Sequence, residues 1–587
     1  MTHKTGRRAW ALALLLSAVA LPGAAQATPA DEARFKALYT REWAWRQALS
    51  ASDENSGGQG VRAHLPDVSA AAQAKKLAYW TQVDRELDAI PAAGLSPTVR
   101  EDYEVYRAQI AALRKEQEFR DYEKPLSADT SFWGDLTYAA DSGFKTEADY
   151  RAYLSMLSEM PRYFAQQVTN MRAGLARGFT MPKITLQGRD ATLTSVVDAR
   201  PAENVYYGPF LKMPAAIPAD KQQALRAEGL RAITQSVVPA HRAVLEFLRR
   251  DYIPGATTTL AAEALPDGKA YYRSKIREYA TEDRTADEVH AIGLREVATI
   301  RARMLEVMRE AKFNGDLPAF LKFLKTDPQF YAKTPAELLK DAAWIAKSFD
   351  GIASNWFGHL PRSRFAIKPV PADVAPFYTS GRGGPGIYLV NTYDLPSRAL
   401  YSLPALTLHE SAPGHAFQMP LANENDGQPA FRREVYISAY GEGWALYCEK
   451  LGEEMGMYTT PYDKFGMLSY QMWRAARLVV DTGIHAKGWT REQAQAYLRD
   501  NTALSDHEIM TEVDRYIAWP GQALSYYLGE LAIVEARAKA EKALGEKFDI
   551  RNFHDTVLEM GSSPLPILRA RIDRFIAAGG PSPYPKK

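Results

Sequence analysis

The stretch LTLHESAPGHAFQ, Leu406 to Gln418, decides how the rest of the chain is interpreted. It places His409, Glu410 and His415 close together in a chain of 587 residues that has ten histidines. In the zinc-hydrolase pattern H-E-x-x-H, histidines four positions apart lie about 40° apart around a helix and can share one metal. Here the two histidines are six positions apart, which on a regular helix separates them by about 120°. A straight helix would therefore not bring both imidazoles to one ion.

Pro413 and Gly414, which lie between the two histidines, suit a distorted turn. Proline removes a backbone donor and clashes with the preceding helical turn, and glycine accepts backbone angles that other residues avoid. We therefore expect the extra residues to be looped out, so that His409 and His415 face the same space. The alternative is a helix that ends at the Pro-Gly pair, with two unrelated histidines beside it.

The composition is that of a globular protein, and it excludes some classes of partner. Hydrophobic residues make up 46% of the chain and charged residues 24%, which is enough to bury a large core. Lys plus Arg number 72 against 70 Asp plus Glu, so no overall field favours nucleic acid or an anionic membrane surface. Cys448 is the single cysteine, so no intramolecular disulfide can form, and we expect Cys448 to lie in the core rather than to bind metal.

Residues 1–27 have the pattern of a cleaved signal peptide. Lys4, Arg7 and Arg8 precede an apolar run, and Ala25-Gln26-Ala27 follows it, as in exported proteins. No other stretch approaches the roughly 20 apolar residues that a membrane-spanning helix requires. We expect a periplasmic or secreted protein, without a membrane span in its mature part and of open oligomeric state.

Most of the remaining sequence has helical periodicity, as in DEARFKALYTREWAWRQAL. Strand-like patterns are few: KITLQG near Ile184, FAIKPVP near Ile367, and GIYLVNT after the glycine-rich turn TSGRGGPG. We predict a mainly α fold in which residues 28–587 form one unit with two lobes around a cleft. A small β-sheet is expected beside the helix of the histidine motif, and its GIYLVNT strand is expected to offer a free edge to a peptide.

The segment REVYISAYGEGWALYCEKLGEEMG supplies a third candidate ligand, Glu442. Its neighbours are mostly uncharged, so a buried carboxylate at this position would need a partner. Two histidines and one glutamate, with a fourth position open, form the ligand set of many catalytic zinc sites. His409, His415 and Glu442 are therefore the predicted zinc ligands, and Glu410 is the predicted general base.

Three further acidic and histidine residues have two interpretations each. Glu449, two turns after Glu442, is either an acceptor that fixes a histidine tautomer or a partner of Lys450 on the surface. Asp481 and His485, four positions apart in RLVVDTGIHAKGW, either line the pocket or hydrogen-bond each other.

The segment TEVDRYIAWPGQALSYYLG carries candidates for holding a developing oxyanion. These are Arg515, Tyr516, Tyr526 and Tyr527, in a helical pattern that Pro520 and Gly521 interrupt. Any single tyrosine here is more often part of a core than catalytic.

Four motifs in this order, HESAPGHAFQ, GEGWALYCE, RLVVDTGIHAKGW and DRYIAWPGQALSYYLG, resemble the bacterial family known as domain of unknown function 885 over most of the mature chain. That family is similar to helical gluzincin-type zinc peptidases such as angiotensin-converting enzyme and the thimet oligopeptidases. The resemblance implies His409, His415 and Glu442 as zinc ligands, Glu410 as base and Tyr516 as a transition-state hydrogen-bond donor. The longer histidine spacing departs from those peptidases, although dipeptidyl peptidase III tolerates one extra residue.

Three functions remain open from the sequence. The first is a zinc oligopeptidase or exopeptidase acting on short peptides. The second is a zinc amidohydrolase or esterase acting on non-peptide or peptidoglycan-derived amides. The third is an inactive binding protein on the same scaffold, which the presence of Glu410 argues against, because a purely structural metal site needs no base.

Overall fold

The computed structural model describes residues 29–49, 61–128, 130–372 and 375–584. The expected signal peptide, residues 1–27, lies outside these ranges. The described chain is mainly helical with one small sheet, and the predicted fold class is confirmed. None of the described helices is long and apolar enough to cross a membrane.

The first half of the described chain packs helix on helix. Its α-helices are α1 Pro29–Leu49, α2 Ala70–Asp88, α3 Pro97–Phe119, α4 Glu147–Ala176, α5 Ala191–Asp198, α6 Gly208–Leu211, α7 Ala219–Ala232, α8 Val238–Phe247, α9 Ile253–Gly255 and α10 Gly268–Ala280. Two π-helical turns, Ile233–Val237 and Leu248–Tyr252, join α7, α8 and α9 into one continuous run. Thr146 begins α4 with a capping box to Asp149, which satisfies backbone donors that the first turn leaves unpaired.

The second half carries the helices around the histidine motif. They are α11 Ala286–Glu310, α12 Leu317–Thr326, α13 Pro335–Trp356, α14 Leu403–Glu410, α15 His415–Glu424, α16 Ala430–Arg433, α17 Ser438–Glu454, α18 Pro461–Lys487, α19 Arg491–Asn501, α20 Asp506–Ala518, α21 Ser525–Leu544, α22 Ile550–Glu559 and α23 Leu565–Ala577. Helix α18 is buried over most of its length. Thr460 and Asp463 form a capping box at its start, and Gly488 ends it in the left-handed region at φ +69°.

The sheet has three short strands, β1 Ala366–Pro369, β2 Gly381–Gly384 and β3 Ile387–Val390. Their order is β1-β3-β2, with β3 parallel to β1 and antiparallel to β2. The hydroxyl of Tyr388 on β3 lies 3.3 Å from that of Thr407 on α14. The sheet therefore lies against the helix of the histidine motif, as predicted.

Two expectations about strands were wrong. KITLQG forms a 3-10 turn over Lys183–Leu186, in which the neighbours Thr185 and Leu186 are both buried, whereas an alternating strand buries every second residue. The GIYLVNT strand has no free edge, because β3 is the central strand. The outer strands are β1 and β2. Strand β2 forms in the glycine-rich stretch predicted as a turn, and Gly386 at φ +81° closes the turn between β2 and β3.

The described residues contain two large hydrophobic clusters. One combines α1–α3 with the helices from α10 onward and includes Trp444 and Leu478. The other is built mainly from residues 65–256. Helices α14, α17 and α18 belong to the first cluster, so the histidine motif lies within a large packed body. The division of residues 28–587 into two lobes remains a prediction.

Candidate metal centre

The histidine motif is a break between two helices rather than one helix. Helix α14 ends at Glu410 and α15 begins at His415, with residues 411–414 outside both. The N–H of Gly414 donates to the carbonyl of Leu408 at 3.0 Å. A side chain at position 414 would overlap the carbonyl oxygen of His409, so the connection requires glycine. The four intervening residues are looped out, as the Pro-Gly pair predicts.

A tryptophan of the neighbouring helix holds this connection in place. Trp444 on α17 is fully buried, and its indole N–H donates to the carbonyl of Pro413 at 2.8 Å. The break lets the two rings converge: the ring centroids of His409 and His415 lie 4.9 Å apart, with the ring planes nearly perpendicular.

Glu442 on α17 completes a group of three converging side chains. Its Oε2 atom lies 3.4 Å from Nε2 of His409 and 3.4 Å from Nε2 of His415. In a tetrahedral zinc site with bonds of about 2.0–2.1 Å, neighbouring ligand atoms lie about 3.3–3.4 Å apart. Oε2 of Glu442 is also buried without a hydrogen-bond partner among the described residues. The spacing and this unsatisfied oxygen both fit a metal ion.

The other nitrogen of His409 is held by a buried carboxylate. Nδ1 lies 2.7 Å from Oε1 of Glu449, which has no exposed surface. Arg474 on α18 lies 3.6 Å from the same oxygen and balances its charge. A neutral His409 that donates its Nδ1 proton to Glu449 keeps the lone pair of Nε2 for a metal. The burial of Glu449 and its contact with His409 fit an acceptor that fixes the histidine tautomer, and do not fit a surface ion pair with Lys450.

Glu410 lies at the end of α14, next to the edge strand. Its Oε2 accepts the N–H of Gly383 on β2 at 2.7 Å. Ligand atoms of His409, Glu410 and His415 lie within 4.8 Å of one another, so Glu410 could also serve as a third ligand. We favour Glu442 for that role, because its oxygen is unpartnered and close to both imidazoles, whereas an oxygen of Glu410 is already bound to the backbone.

The electrostatics of this group favour a cation. Burial would lower the pKa of His409, but the neighbouring carboxylates of Glu442 and Glu449 outweigh it and raise the pKa to about 10. Burial would raise the pKa of Glu442, but the nearby imidazoles of His415 and His409 hold it well below its usual range. Three carboxylates around two imidazoles therefore bind a proton tightly, and the same surroundings would stabilise the positive charge of a metal ion.

Sequence reasoning missed Tyr436. Its hydroxyl lies against Gly441, the residue before Glu442, and its ring centroid lies 6.4 Å from that of His415. It is 36% exposed, whereas Tyr440 in the same segment is fully buried and donates to the carbonyl of Val557. Nothing in REVYISAY distinguishes the two tyrosines, because the difference arises only when α17 is packed.

The structure places Tyr516 in a different set of contacts. Its hydroxyl accepts from Arg477 Nε at 3.0 Å and from the Trp473 indole at 3.1 Å, and it also hydrogen-bonds with Glu512. Among the described residues, none of the hydrogen bonds of this hydroxyl reaches the histidine and glutamate group. The role of Tyr516 as a transition-state donor remains a prediction.

Asp481 and His485 do not pair with each other. Asp481 accepts from the Tyr272 hydroxyl at 2.6 Å and from the N–H of Gly521. His485 accepts the N–H of Ala262 at its Nδ1 and donates from Nε2 to the carbonyl of Tyr516. Both side chains are fully buried, and their bonds tie α18 to the segments around it.

The remaining predicted residues have clear positions. Arg515 donates to the Tyr526 hydroxyl at 3.3 Å. Tyr527 donates instead to Glu296. Cys448 is a buried free thiol whose pKa burial raises, as expected of a core residue.

The comparisons with known proteins agree with the motifs. The family model described as "Bacterial protein of unknown function (DUF885)" matches residues 52–572. The chain belongs to this family. The resemblance seen in the sequence is confirmed, and the family carries no assigned activity.

Solved structures show the same fold. A protein from Colwellia psychrerythraea, provisionally described as a lipoprotein, is 26% identical with a TM-score of 0.85, over 93% of this chain and 99% of its own. A second, from Shewanella oneidensis, provisionally described as a lipoprotein of unknown function, is 18% identical with a TM-score of 0.64, over 92% and 98%. An M32 carboxypeptidase from Deinococcus radiodurans R1 is 14% identical over 86% and 100%, but its TM-score of 0.28 supports no argument. Comparison with curated proteins gave no match.

Proposed function

We propose that this protein is a zinc-dependent hydrolase that cleaves peptide bonds of short peptides. The observation that carries the proposal is the convergence of His409, His415 and Glu442, with both imidazole nitrogens 3.4 Å from one unpartnered carboxylate oxygen. Two nitrogens and one oxygen leave a fourth tetrahedral position open, which separates catalytic from structural zinc sites. When bound, zinc supplies a Lewis acid that activates water and polarises a carbonyl group.

Glu410 is the proposed general base. It directly follows His409, and the N–H of Gly383 holds one of its oxygens at 2.7 Å. A hydrogen bond to the ionised form favours the carboxylate, which must be unprotonated to accept a proton from water. The same bond fixes the direction of the side chain before substrate arrives, which lowers the cost of orienting it in the reaction.

The position of the edge strand favours a peptide over other amides. The N–H of Asn391 on the β3 side donates to the carbonyl of Ser380 on the β2 side, so these two residues form a hydrogen-bonded pair. In an antiparallel ladder such pairs alternate with pairs that are not hydrogen-bonded to each other. The backbone groups of Gly381 and Gly383 therefore point away from β3. Gly383 already contacts Glu410. A peptide that adds to this edge as a further strand would therefore run past the proposed base.

Two tyrosines are candidates for stabilising the developing oxyanion. Tyr436 lies close to the proposed ligands, because its hydroxyl lies against Gly441, next to Glu442, and its ring centroid is 6.4 Å from that of His415. Tyr516 remains the candidate that the family resemblance implies. Removing an oxyanion donor lowers turnover without removing metal. Turnover and zinc content of single variants at Tyr436 and Tyr516 therefore show which hydroxyl has this role.

We further propose that the protein is exported to the periplasm or secreted. The basic and apolar pattern of residues 1–27 supports this proposal. The description of the Colwellia psychrerythraea protein as a lipoprotein, given only provisionally, is consistent with it.

Metal content and a substrate panel test the proposal together. The purified protein should contain about one zinc per chain and should cleave members of a mixed peptide library, with products identified by mass spectrometry. A parallel panel of simple amides, esters and peptidoglycan fragments separates the peptidase from an amidohydrolase. Protein that carries no stoichiometric transition metal, without exposure to chelator, would contradict the metal site. Turnover confined to non-peptide amides or esters would contradict the peptidase.

A further inference from the structure

A second polar group lies at the junction of α18, α20 and α21. It consists of Arg477, Glu512, Arg515, Tyr516 and Tyr526, and we refer to it as the arginine cluster. The guanidinium of Arg477 lies 4.4 Å from the ring centroid of Tyr526 and 4.4 Å from that of Trp473. Arg515 donates to the Tyr526 hydroxyl at 3.3 Å and to Gln522 at 2.8 Å. Two arginines thus meet at one partly exposed tyrosine.

The crossing of α17 and α21 brings the arginine cluster beside the candidate metal centre. Side chains at Gly443 or Gly529 would overlap the backbone of the opposite helix, so the two helices touch at these glycines. Ser438 on α17 and Ser525 on α21 hydrogen-bond at 2.8 Å. Tyr526, the next residue, therefore lies in the turn of α21 that contacts the start of α17.

Helix α18 connects the two groups. Arg474 lies 3.6 Å from Oε1 of Glu449, the carboxylate that holds His409, and Arg474 and Arg477 both stack on the ring of Trp473. A substrate at the candidate metal centre therefore lies near Arg477 and the ring of Tyr526 that Arg477 contacts.

The arginine cluster carries a surplus positive charge. Glu512 pairs with Arg477 at 2.9 Å and with Arg515 at 3.4 Å, so one carboxylate serves two guanidinium groups. The nearby Arg474 is already matched with Glu449. Arg477 is 2% exposed, and a buried charge without a full counter-charge is costly unless a ligand supplies one.

Donors in the cluster are also left unused. Nη1 of Arg477 and Nε of Arg515 are buried and have no hydrogen-bond partner among the described residues. The Tyr526 hydroxyl accepts from Arg515 and so keeps its own proton available to donate. Planar guanidinium groups bind carboxylates with two parallel hydrogen bonds, and one carboxylate would cancel the surplus of one charge.

We infer that Arg515, Arg477 and Tyr526 form a subsite that binds a carboxylate of the substrate. The inference rests on the proposed peptidase function, because it assumes that a peptide occupies the neighbouring metal centre. The carboxylate belongs either to the free C-terminus of the peptide, which would make the enzyme an exopeptidase, or to an acidic side chain. Arg515 and Tyr526 contact the ligand from the partly exposed side, and Arg477 supplies charge from behind.

Binding measurements test the inference without requiring turnover. The probes are fluorescent tetra-alanine as the free acid, the same peptide as the C-terminal amide, and Ala-Ala-Ala-Glu as the C-terminal amide. Affinity for the Glu410→Gln variant is measured by fluorescence anisotropy, with and without zinc. We expect the free acid to bind at least about tenfold more tightly than the neutral amide. If the Glu-bearing amide binds as tightly as the free acid, the carboxylate can also come from a side chain.

Variants then assign the preference to the cluster. Adding Arg515→Gln or Tyr526→Phe to Glu410→Gln should reduce the preference for the acid to about twofold or less. Arg491→Gln is the matched control. Arg491 on α19 pairs with Asp514 of α20, the helix that carries Arg515, and its side chain is exposed to a similar extent, 21% against 23% for Arg515. It should keep the preference. Thermal unfolding and zinc content verify that each variant is folded.

Four results would overturn the inference. They are equal binding of free acid and neutral amide, a preference that survives both cluster variants, a preference that disappears when zinc is chelated, and no binding of the free acid at millimolar concentration. Peptide turnover without a preference for the acid would leave the proposed peptidase standing and remove only the subsite. A preference that Arg515→Gln abolishes, in a protein that cleaves no peptide, would support the subsite and contradict the peptidase.

Discussion

Two buried groups of acidic and histidine side chains look alike in the sequence and differ in the structure. At the candidate metal centre, Glu442 and His415 converge with His409, and Oε2 of Glu442 and Nδ1 of His415 find no partner among the described residues. On α18, every polar contact of Asp481 and His485 described above is made with a backbone group or with Tyr272. Buried polar groups in folded proteins are normally satisfied. The contrast shows that converging side chains with unsatisfied atoms, more than residue type alone, indicate where a ligand belongs.

The largest effect should come from removing a proposed metal ligand. We expect His415→Ala and Glu442→Ala to lose zinc and all hydrolysis, because two remaining ligands hold the ion poorly. His485→Ala, which removes a histidine of the satisfied group, should keep zinc and lose only stability, by about 1–3 kcal/mol for the buried partners it leaves unpaired. Zinc content by elemental analysis and thermal unfolding measure both effects. Full metal affinity in His415→Ala would mean that the six-residue spacing is a coincidence.

The next effect isolates chemistry from metal binding. Glu410→Gln should lower kcat by about 100- to 10,000-fold while zinc and fold are kept, because glutamine matches the size of glutamate but cannot accept a proton from water. Its side-chain oxygen can still accept the N–H of Gly383. Turnover, zinc content and unfolding temperature are measured on one preparation. Loss of zinc would reassign Glu410 as a ligand, and turnover that persists with zinc bound would remove it from the mechanism.

A pair of tyrosine variants compares the two candidate donors. We expect Tyr436→Phe to reduce kcat/KM by about 10- to 1,000-fold with zinc retained, since its hydroxyl lies against Gly441, the residue before the proposed ligand Glu442. Tyr516→Phe should have a similar effect if the resemblance to converting enzyme holds, and a smaller one if its hydroxyl only supports Arg477. Steady-state kinetics on one peptide substrate rank the two. Unchanged kinetics in both variants would place the donor elsewhere.

Local sequence context was sufficient to propose the residues of the candidate metal site. His409, Glu410 and His415 are adjacent in LTLHESAPGHAFQ, and the need for a distorted turn followed from Pro413 and Gly414. Glu442 could be proposed because a lone carboxylate among uncharged neighbours needs a partner. These assignments required no knowledge of how distant helices pack.

The parts that depend on helix packing could not be predicted. Tyr436 reaches Glu442 only because of how the start of α17 is placed, and the arginine cluster forms where three helices meet. Strand order also depends on long-range pairing, so an edge was assigned to β3 although β1 and β2 are the outer strands. Glycine-rich β2 has no strand-like composition, because its backbone rather than its side chains makes the contacts that matter.

The smallest effect concerns the satisfied group and its response to pH. Burial raises the pKa of Asp481 to about 7, although bonds from Tyr272 and Gly521 oppose the rise. In the unfolded chain this pKa is about 3.9. Because the folded value is the higher one, the stability contributed by the protonated carboxyl is complete below about pH 4 and is lost as the pH rises toward 7.

Asp481→Asn cannot ionise and should escape this loss. Relative to wild type, its free energy of unfolding should therefore improve by about 2–3 kcal/mol between pH 5 and pH 8. His485, one helical turn away, has a pKa lowered by burial to about 4, and it stays neutral across this range. Urea unfolding of both proteins at the two pH values provides the comparison, with zinc content measured at each. If the difference in free energy of unfolding between the two proteins does not change with pH, Asp481 is ionised throughout and is stabilised by its two donors. Helix α18 would then hold a buried charge, and the contrast with the metal centre would be weaker than the hydrogen bonds indicate.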